Sequence, residues 1–129
     1  MNKSEWGEYA YWVEVRQKLY GTENERRPTI TVMSEKIKKV GRVYVTLDNP
    51  HENRFDMATR WEDKDYGNKR FFYPTLAEAE EAAHRKRLMY RMTKYLSWDG
   101  QREAEKLSIE DLGTLCFLLT GEREVDHEM

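Results

Sequence analysis

Cysteine is almost absent from this chain. Cys116 stands alone among 129 residues, so no intrachain disulfide forms and no cysteine-based zinc site can be completed. Its setting, Leu115-Cys116-Phe117-Leu118-Leu119, suits a small buried hydrophobe; a reactive thiol needs electropositive neighbours. Histidine is scarce too. His51, His84 and His127 share no metal-ligand spacing, and His84 runs into Arg85-Lys86-Arg87, which repels a bound cation. No Gly-rich phosphate loop, no Gly-x-Ser-x-Gly and no His-Glu-x-x-His occurs. Carboxylate pairs such as Asp63/Asp65 lie in a polar, turn-like run. No catalytic residue, metal or cofactor is therefore expected. No apolar run approaches the roughly 20 residues that a bilayer span requires. The start, Met1-Asn2-Lys3-Ser4-Glu5-Trp6, lacks a signal peptide's basic end and apolar stretch. The expectation is a non-enzymatic, cytoplasmic protein with no membrane partner.

What is there is charge and aromatic surface. Charged residues make up 36% of the chain against 39% apolar, as in a small soluble protein with much solvated surface. Aromatics at 12% argue for a folded chain, because such side chains repay the entropy of ordering. The length suits one domain over 1–129. The net charge of −2 is uneven: residues 36–94 carry 14 basic and 9 acidic groups, residues 95–129 carry 3 and 9. Such asymmetry either marks a site for an anionic partner or reflects two solvated faces that attract each other.

The patterns of period predict an α+β chain. Residues 1–21 read as an N-terminal helix with Ser4 as cap, Trp6, Tyr9, Ala10, Val13, Gln17 and Tyr20 at helical spacing, and Gly21 closing it. A polar linker leads to Pro28. From Thr29 the period becomes two, and residues 29–73 predict a small antiparallel barrel-like sheet of four to five strands. Its expected strands include Thr29-Ile30-Thr31-Val32, Val43 to Leu47, Arg54 to Thr59 and Lys69 to Tyr73, with a turn or bulge at Gly41. Two helices follow over 75–121. The first is capped at Thr75-Leu76-Ala77-Glu78, runs to about Leu96 and is broken by Trp98-Asp99-Gly100. The second is capped by Ser108 and closed by Gly121, leaving an acidic tail over 122–129.

Two sets of residues are candidates for binding. Trp6, Tyr9, Tyr11, Trp12 and Tyr20 crowd one short segment with more aromatic surface than one packing face hides. They are the expected contact with a host protein or with a second copy in a homodimer. Lys38, Lys39, Arg42 and Arg70, with Tyr44 beside them, combine phosphate-pairing cations with a ring that stacks on bases, the ingredients of a nucleic-acid surface. The competing account is that edge lysines deter aggregation while the aromatics are core.

The runs Ile37-Lys38-Lys39-Val40-Gly41-Arg42-Val43-Tyr44-Val45, Arg54-Phe55-Asp56-Met57-Ala58-Thr59 and Phe72-Tyr73-Pro74-Thr75-Leu76-Ala77-Glu78 resemble the small β-barrel accessory proteins encoded by bacteriophages and prophages. The resemblance covers roughly residues 29–120. It implies a phage accessory protein, acting in the bacterial host cell, with no catalytic residues to carry over. It also implies binding of a host macromolecule, such as a defence nuclease complex that an anti-CRISPR-like protein inhibits. The alternative partner is a nucleic acid.

Overall fold

The computed structural model describes residues 5–17, 20–21 and 28–121. The chain forms two compact units, Met1–Ala83 and His84–Met129, and the boundary falls within a helix. Four strands come first: β1 (Tyr9–Arg16), β2 (Thr29–Val40), β3 (Tyr44–Leu47) and β4 (Arg54–Asp56). Three helices follow: α1 (Leu76–Met92), continued by a 3-10 turn at Thr93–Tyr95, then α2 (Trp98–Ala104) and α3 (Ile109–Thr120). Among the described residues no helix is long and apolar enough to cross a membrane.

The expected N-terminal helix is a strand. β1 pairs antiparallel with β2 along its whole length, from Tyr9 opposite Lys36 to Arg16 opposite Thr29. Aromatic and β-branched residues dominate Tyr-Ala-Tyr-Trp-Val-Glu-Val-Arg, and such side chains fit a pleated sheet. The same residues also match helical spacing. Tertiary pairing decides between the two periods. Ala10 is fully buried and Trp12 packs on Phe72, so positions 10 and 12 face inward. The proposed cap Ser4 and the acidic tail over 122–129 lie outside the described residues, as does most of the linker.

The order β1-β2-β3-β4 curls into a half-barrel. Isolated bridges carry the pairing onward: Phe55 with Glu62, Trp61 with Phe71, and Tyr73 back to Tyr11 of β1. That last pair exchanges two hydrogen bonds, Tyr11 N to Tyr73 O at 3.0 Å and Tyr73 N to Tyr11 O at 2.7 Å. Inside lie Phe55 stacked on Phe72 (4.4 Å, 15°), Trp6 edge-on to Phe55 (4.7 Å), and Val45, Leu47, Ala10 and Met57.

Three local details differ from the pattern-based expectation. The Arg54–Thr59 strand stops at Asp56, whose carboxylate Oδ1 accepts from the backbone N–H of Ala58 (2.8 Å) and Thr59 (3.0 Å). Gly41 needs no positive φ. A Cβ there would stand 3.1 Å from the Tyr44 carbonyl oxygen, so close approach is what favours glycine. Trp98-Asp99-Gly100 does not simply break a helix but opens α2, because Ser97 Oγ accepts from Gly100 N at 3.1 Å.

Three helix signals of residues 75–121 hold. Thr75 Oγ1 accepts from Glu78 N (3.2 Å), Ser108 Oγ accepts from Asp111 N (3.1 Å), and Gly121 closes α3 with φ 75°. In the unit His84–Met129, Leu88 and Met92 of α1 pack with Ala104, Leu112 and Cys116. The Cys116 thiol is buried and directs its Sγ to the Leu88 carbonyl at 3.9 Å.

Candidate nucleic-acid interface

The β2–β3 hairpin assembles four of the five residues expected to meet nucleic acid. Ile37 pairs with Leu47 and Lys39 with Thr46, so one extra residue, Lys38, is inserted in β2. Such a bulge interrupts the strict alternation of sides, and Lys38 and Lys39 are both exposed. Arg42 is exposed in the turn that follows. Tyr44 begins β3, on the side opposite the buried Val45. The Arg54 guanidinium of β4 lies 3.9 Å from the centre of the Tyr44 ring, a cation–π stack held by Arg54 Nε donating to Asp63 Oδ2 at 2.8 Å.

Three nearby carboxylates are already engaged, while exposed Asp48, just past the end of β3, makes no ion pair among the described residues. Glu52 pairs with Lys38 at 3.3 Å, Asp63 with Arg54, and Asp56 accepts the two backbone N–H groups of its own turn. Lys39 and Arg42 pair with no carboxylate among the described residues, and neither do Lys36 and Lys69. The hairpin thus keeps unopposed positive charge although the chain as a whole is acidic.

Arg70, the fifth expected residue, is elsewhere and works inside the fold. Its Nε and Nη2 donate to the two oxygens of Glu62 at 3.1 and 3.0 Å, a forked pair, and its backbone N donates to Glu62 Oε1 at 3.2 Å. Nη1 reaches Glu35 Oε2 of β2 at 3.5 Å. The guanidinium also lies over Trp12 (4.7 Å) and Phe72 (5.1 Å). Glu62 is only 4% exposed. Burial pushes its carboxyl up, but the hydrogen bonds and charge of Arg70, helped by Lys64, outweigh this and hold it below the ordinary carboxylate range. For Arg70, burial works against its charge and Glu62 and Glu35 more than restore it. A guanidinium committed this way is not available for phosphate.

The aromatic candidates divide by side of the sheet. Trp6 and Trp12 belong to the interior. Arg60 covers Trp6 at 5.9 Å and is itself held by Glu5 at 2.9 Å and Glu78 at 3.7 Å. Tyr9 and Tyr11 take the other side of β1, with Tyr9 43% exposed. Tyr20 is 86% exposed and lies outside any strand. Tyr11 joins a row formed by Trp61, Phe71 and Tyr73. Trp61 and Phe71 meet edge to face at 5.0 Å, and Phe71 and Tyr73 at 5.1 Å. Trp61 is 48% exposed. Burial raises the Tyr73 phenol above its ordinary pKa; Glu78 adds to this and Arg60 opposes it. The signal of the row in the sequence is the alternation of Phe71 and Tyr73 about buried Phe72.

Residues 1–124, nearly the whole chain, match the phage ProQ C-terminal-like domain. The chain belongs to this family. The phage association expected from the sequence is thus established for the domain, while the short Lys-Val-Gly-Arg run is not what identifies it. No curated protein and no solved structure shows a significant match. For a phage ProQ C-terminal-like domain, then, the cationic hairpin and the aromatic row are the surface features from which its chemistry can be argued.

Proposed function

We propose that this domain is a non-enzymatic nucleic-acid-binding module that engages RNA through the outer side of its half-barrel. The supporting observation is the bulge in β2. It leaves Lys38 and Lys39 both exposed beside Arg42, at the rim of the Tyr44–Arg54 stack. Cations placed so pair with successive phosphates, and the exposed Arg54 guanidinium stacked on Tyr44 supplies a plane for a base. The engagement of Glu52, Asp56 and Asp63 lessens the repulsion that an acidic chain presents to a polyanion. Family membership agrees with a phage-related module of the RNA-binding type. The anti-CRISPR-like inhibitor expected from the resemblance finds no support in these comparisons.

The test is a salt series of binding to short RNA, wild type against Lys38→Ala/Lys39→Ala/Arg42→Ala. Each phosphate contact releases counterion, so affinity falls with salt. The triple variant should bind more weakly and lose about one unit of logarithmic salt slope for each cation that touched a phosphate. Absence of binding by the wild type at low salt refutes the proposal.

A further inference from the structure

We propose that the aromatic row makes the ligand a single strand: unpaired bases stack on Trp61 and its neighbours while the phosphates lie against the cations of the β2–β3 hairpin. This inference rests on the nucleic-acid reading above and specifies its substrate class. Four observations carry it.

First, the row is surplus to the core. The inner side of the half-barrel is filled by Phe55, Phe72 and Trp6, and Trp12 packs against them. Phe71 and Tyr73 flank Phe72 in the chain, and strand alternation turns them to the opposite side. Second, the row is accessible where it ends, since Trp61 is 48% exposed. A half-exposed indole that meets Phe71 edge to face offers its solvent side to a planar ligand.

Third, the row is continuous with the cationic hairpin. Asp56 N of β4 donates to Trp61 O at 2.9 Å, and the same strand carries Arg54, which covers Tyr44 of β3. Stacking rings and phosphate-pairing cations thus occupy neighbouring strands of one outer surface. Fourth, cations flank the row. Lys69 precedes Phe71 by two residues, and Lys36 sits opposite Tyr9; neither pairs with a carboxylate among the described residues. Cations beside exposed rings fit a polyanion with apolar planes, and a duplex does not present such planes because its bases already stack on one another.

The experiment compares an RNA of about a dozen nucleotides that cannot pair with itself and the same RNA annealed to its complement. Binding of both is followed by fluorescence anisotropy. Three variants are compared with wild type: Trp61→Ala, Trp61→Phe, and Lys38→Ala/Lys39→Ala/Arg42→Ala, each checked for folding by its thermal transition. Wild type should prefer the single strand. Trp61→Ala should weaken single-strand binding by about ten-fold, leaving the salt slope and duplex binding unchanged. Trp61→Phe, which keeps a stacking ring, should recover most of the loss. Equal affinity for both RNAs, or a Trp61→Ala variant that binds like wild type while the triple variant collapses, overturns the stacking inference and leaves the nucleic-acid reading standing. If wild type binds neither RNA at low salt, the underlying reading falls and this inference falls with it.

Discussion

In the unit Met1–Ala83 the groups that hold one another are far apart in sequence: Arg70 with Glu35, Arg60 with Glu5, Trp6 with Phe55. In the unit His84–Met129 many are near neighbours: Ser97 with Gly100, Ser108 with Asp111, Gln101 with Leu96. The half-barrel encloses stacked aromatic rings and an ion pair with one partner almost fully buried. The helical unit encloses aliphatic side chains and a thiol, with Ser97 and Ser108 capping two of its helices. Rings and buried charges carry large penalties when a partner is removed, whereas caps carry small ones. Substitutions should therefore divide the two units by size of effect and by response to acid.

The largest effect should come from the ring stack. Phe55 is fully buried, stacks on Phe72 at 4.4 Å and receives the edge of Trp6 at 4.7 Å. Phe55→Ala removes the transfer energy of the ring and leaves a cavity that rigid neighbouring rings fill poorly. A loss of about 3–5 kcal/mol in denaturant-induced unfolding is expected. Followed by near-ultraviolet circular dichroism, the variant should lose the signal of immobilised tryptophans. A loss under about 1 kcal/mol would mean that the stack is not what holds the half-barrel, and the contrast between the units would fail.

The next effect is electrostatic and depends on pH. Arg70→Ala strands the buried Glu62 carboxylate, with only Lys64 at 3.6 Å to face it, and should cost about 3 kcal/mol at neutral pH. In wild type, Arg70 holds the Glu62 carboxyl below its ordinary 4.5 in the folded state. A depressed carboxyl stabilises the fold above that ordinary value, and the contribution disappears as pH falls through the folded-state value. Wild type should therefore lose stability on acidification beyond what Glu62→Gln loses, because the amide has no proton to take up. The comparison is a series of urea unfolding curves from pH 7 down to about 3, spanning the carboxylate range. Parallel curves for the two proteins would remove Glu62 as a source of acid sensitivity.

The same contrast explains what could be read from the sequence. Thr75, Ser108 and Gly121 announce helix ends through bonds made within three or four residues, so their meaning is local and legible. The exposed cluster of Lys38, Lys39 and Arg42 was legible for the same reason, lying within one hairpin. Residues 9–16 were not. Their rings satisfy a helical period as well as a strand's, and the partner that selects the strand, Thr29–Lys36, is distant in the chain. Arg70 looked like any exposed strand cation because its partners Glu62 and Glu35 come from other segments. The aromatic row was legible in part: Lys69 to Tyr73 read as a strand, but the single bridges that join Trp61, Phe71, Tyr73 and Tyr11 link separate segments and show in no local pattern. Ser97 was overlooked because a seven-residue helix offers almost no period of its own.

The smallest effect tests one chemical change in both units. Thr75→Ala and Ser108→Ala each remove a side-chain oxygen from a helix N-terminus, freeing the backbone N–H of Glu78 in one and Asp111 in the other. Each should lower stability by about 1 kcal/mol, read as a shift of the denaturation midpoint without a change of slope. Ser108→Asp separates the cap from mere side-chain loss, since a carboxylate also accepts from the N3 amide and its charge suits the helix dipole. The recovery should nonetheless be incomplete, because Glu110 and Asp111 already place negative charge in the first turn of α3 and repel a third. Both freed amides are exposed, so water replaces part of the lost bond at each and the two costs should be similar. If Ser108→Ala leaves the midpoint where it was, or if Ser108→Asp falls below Ser108→Ala, local capping does not set the stability of the helical unit. The difference between the two units would then have to be sought in their cores.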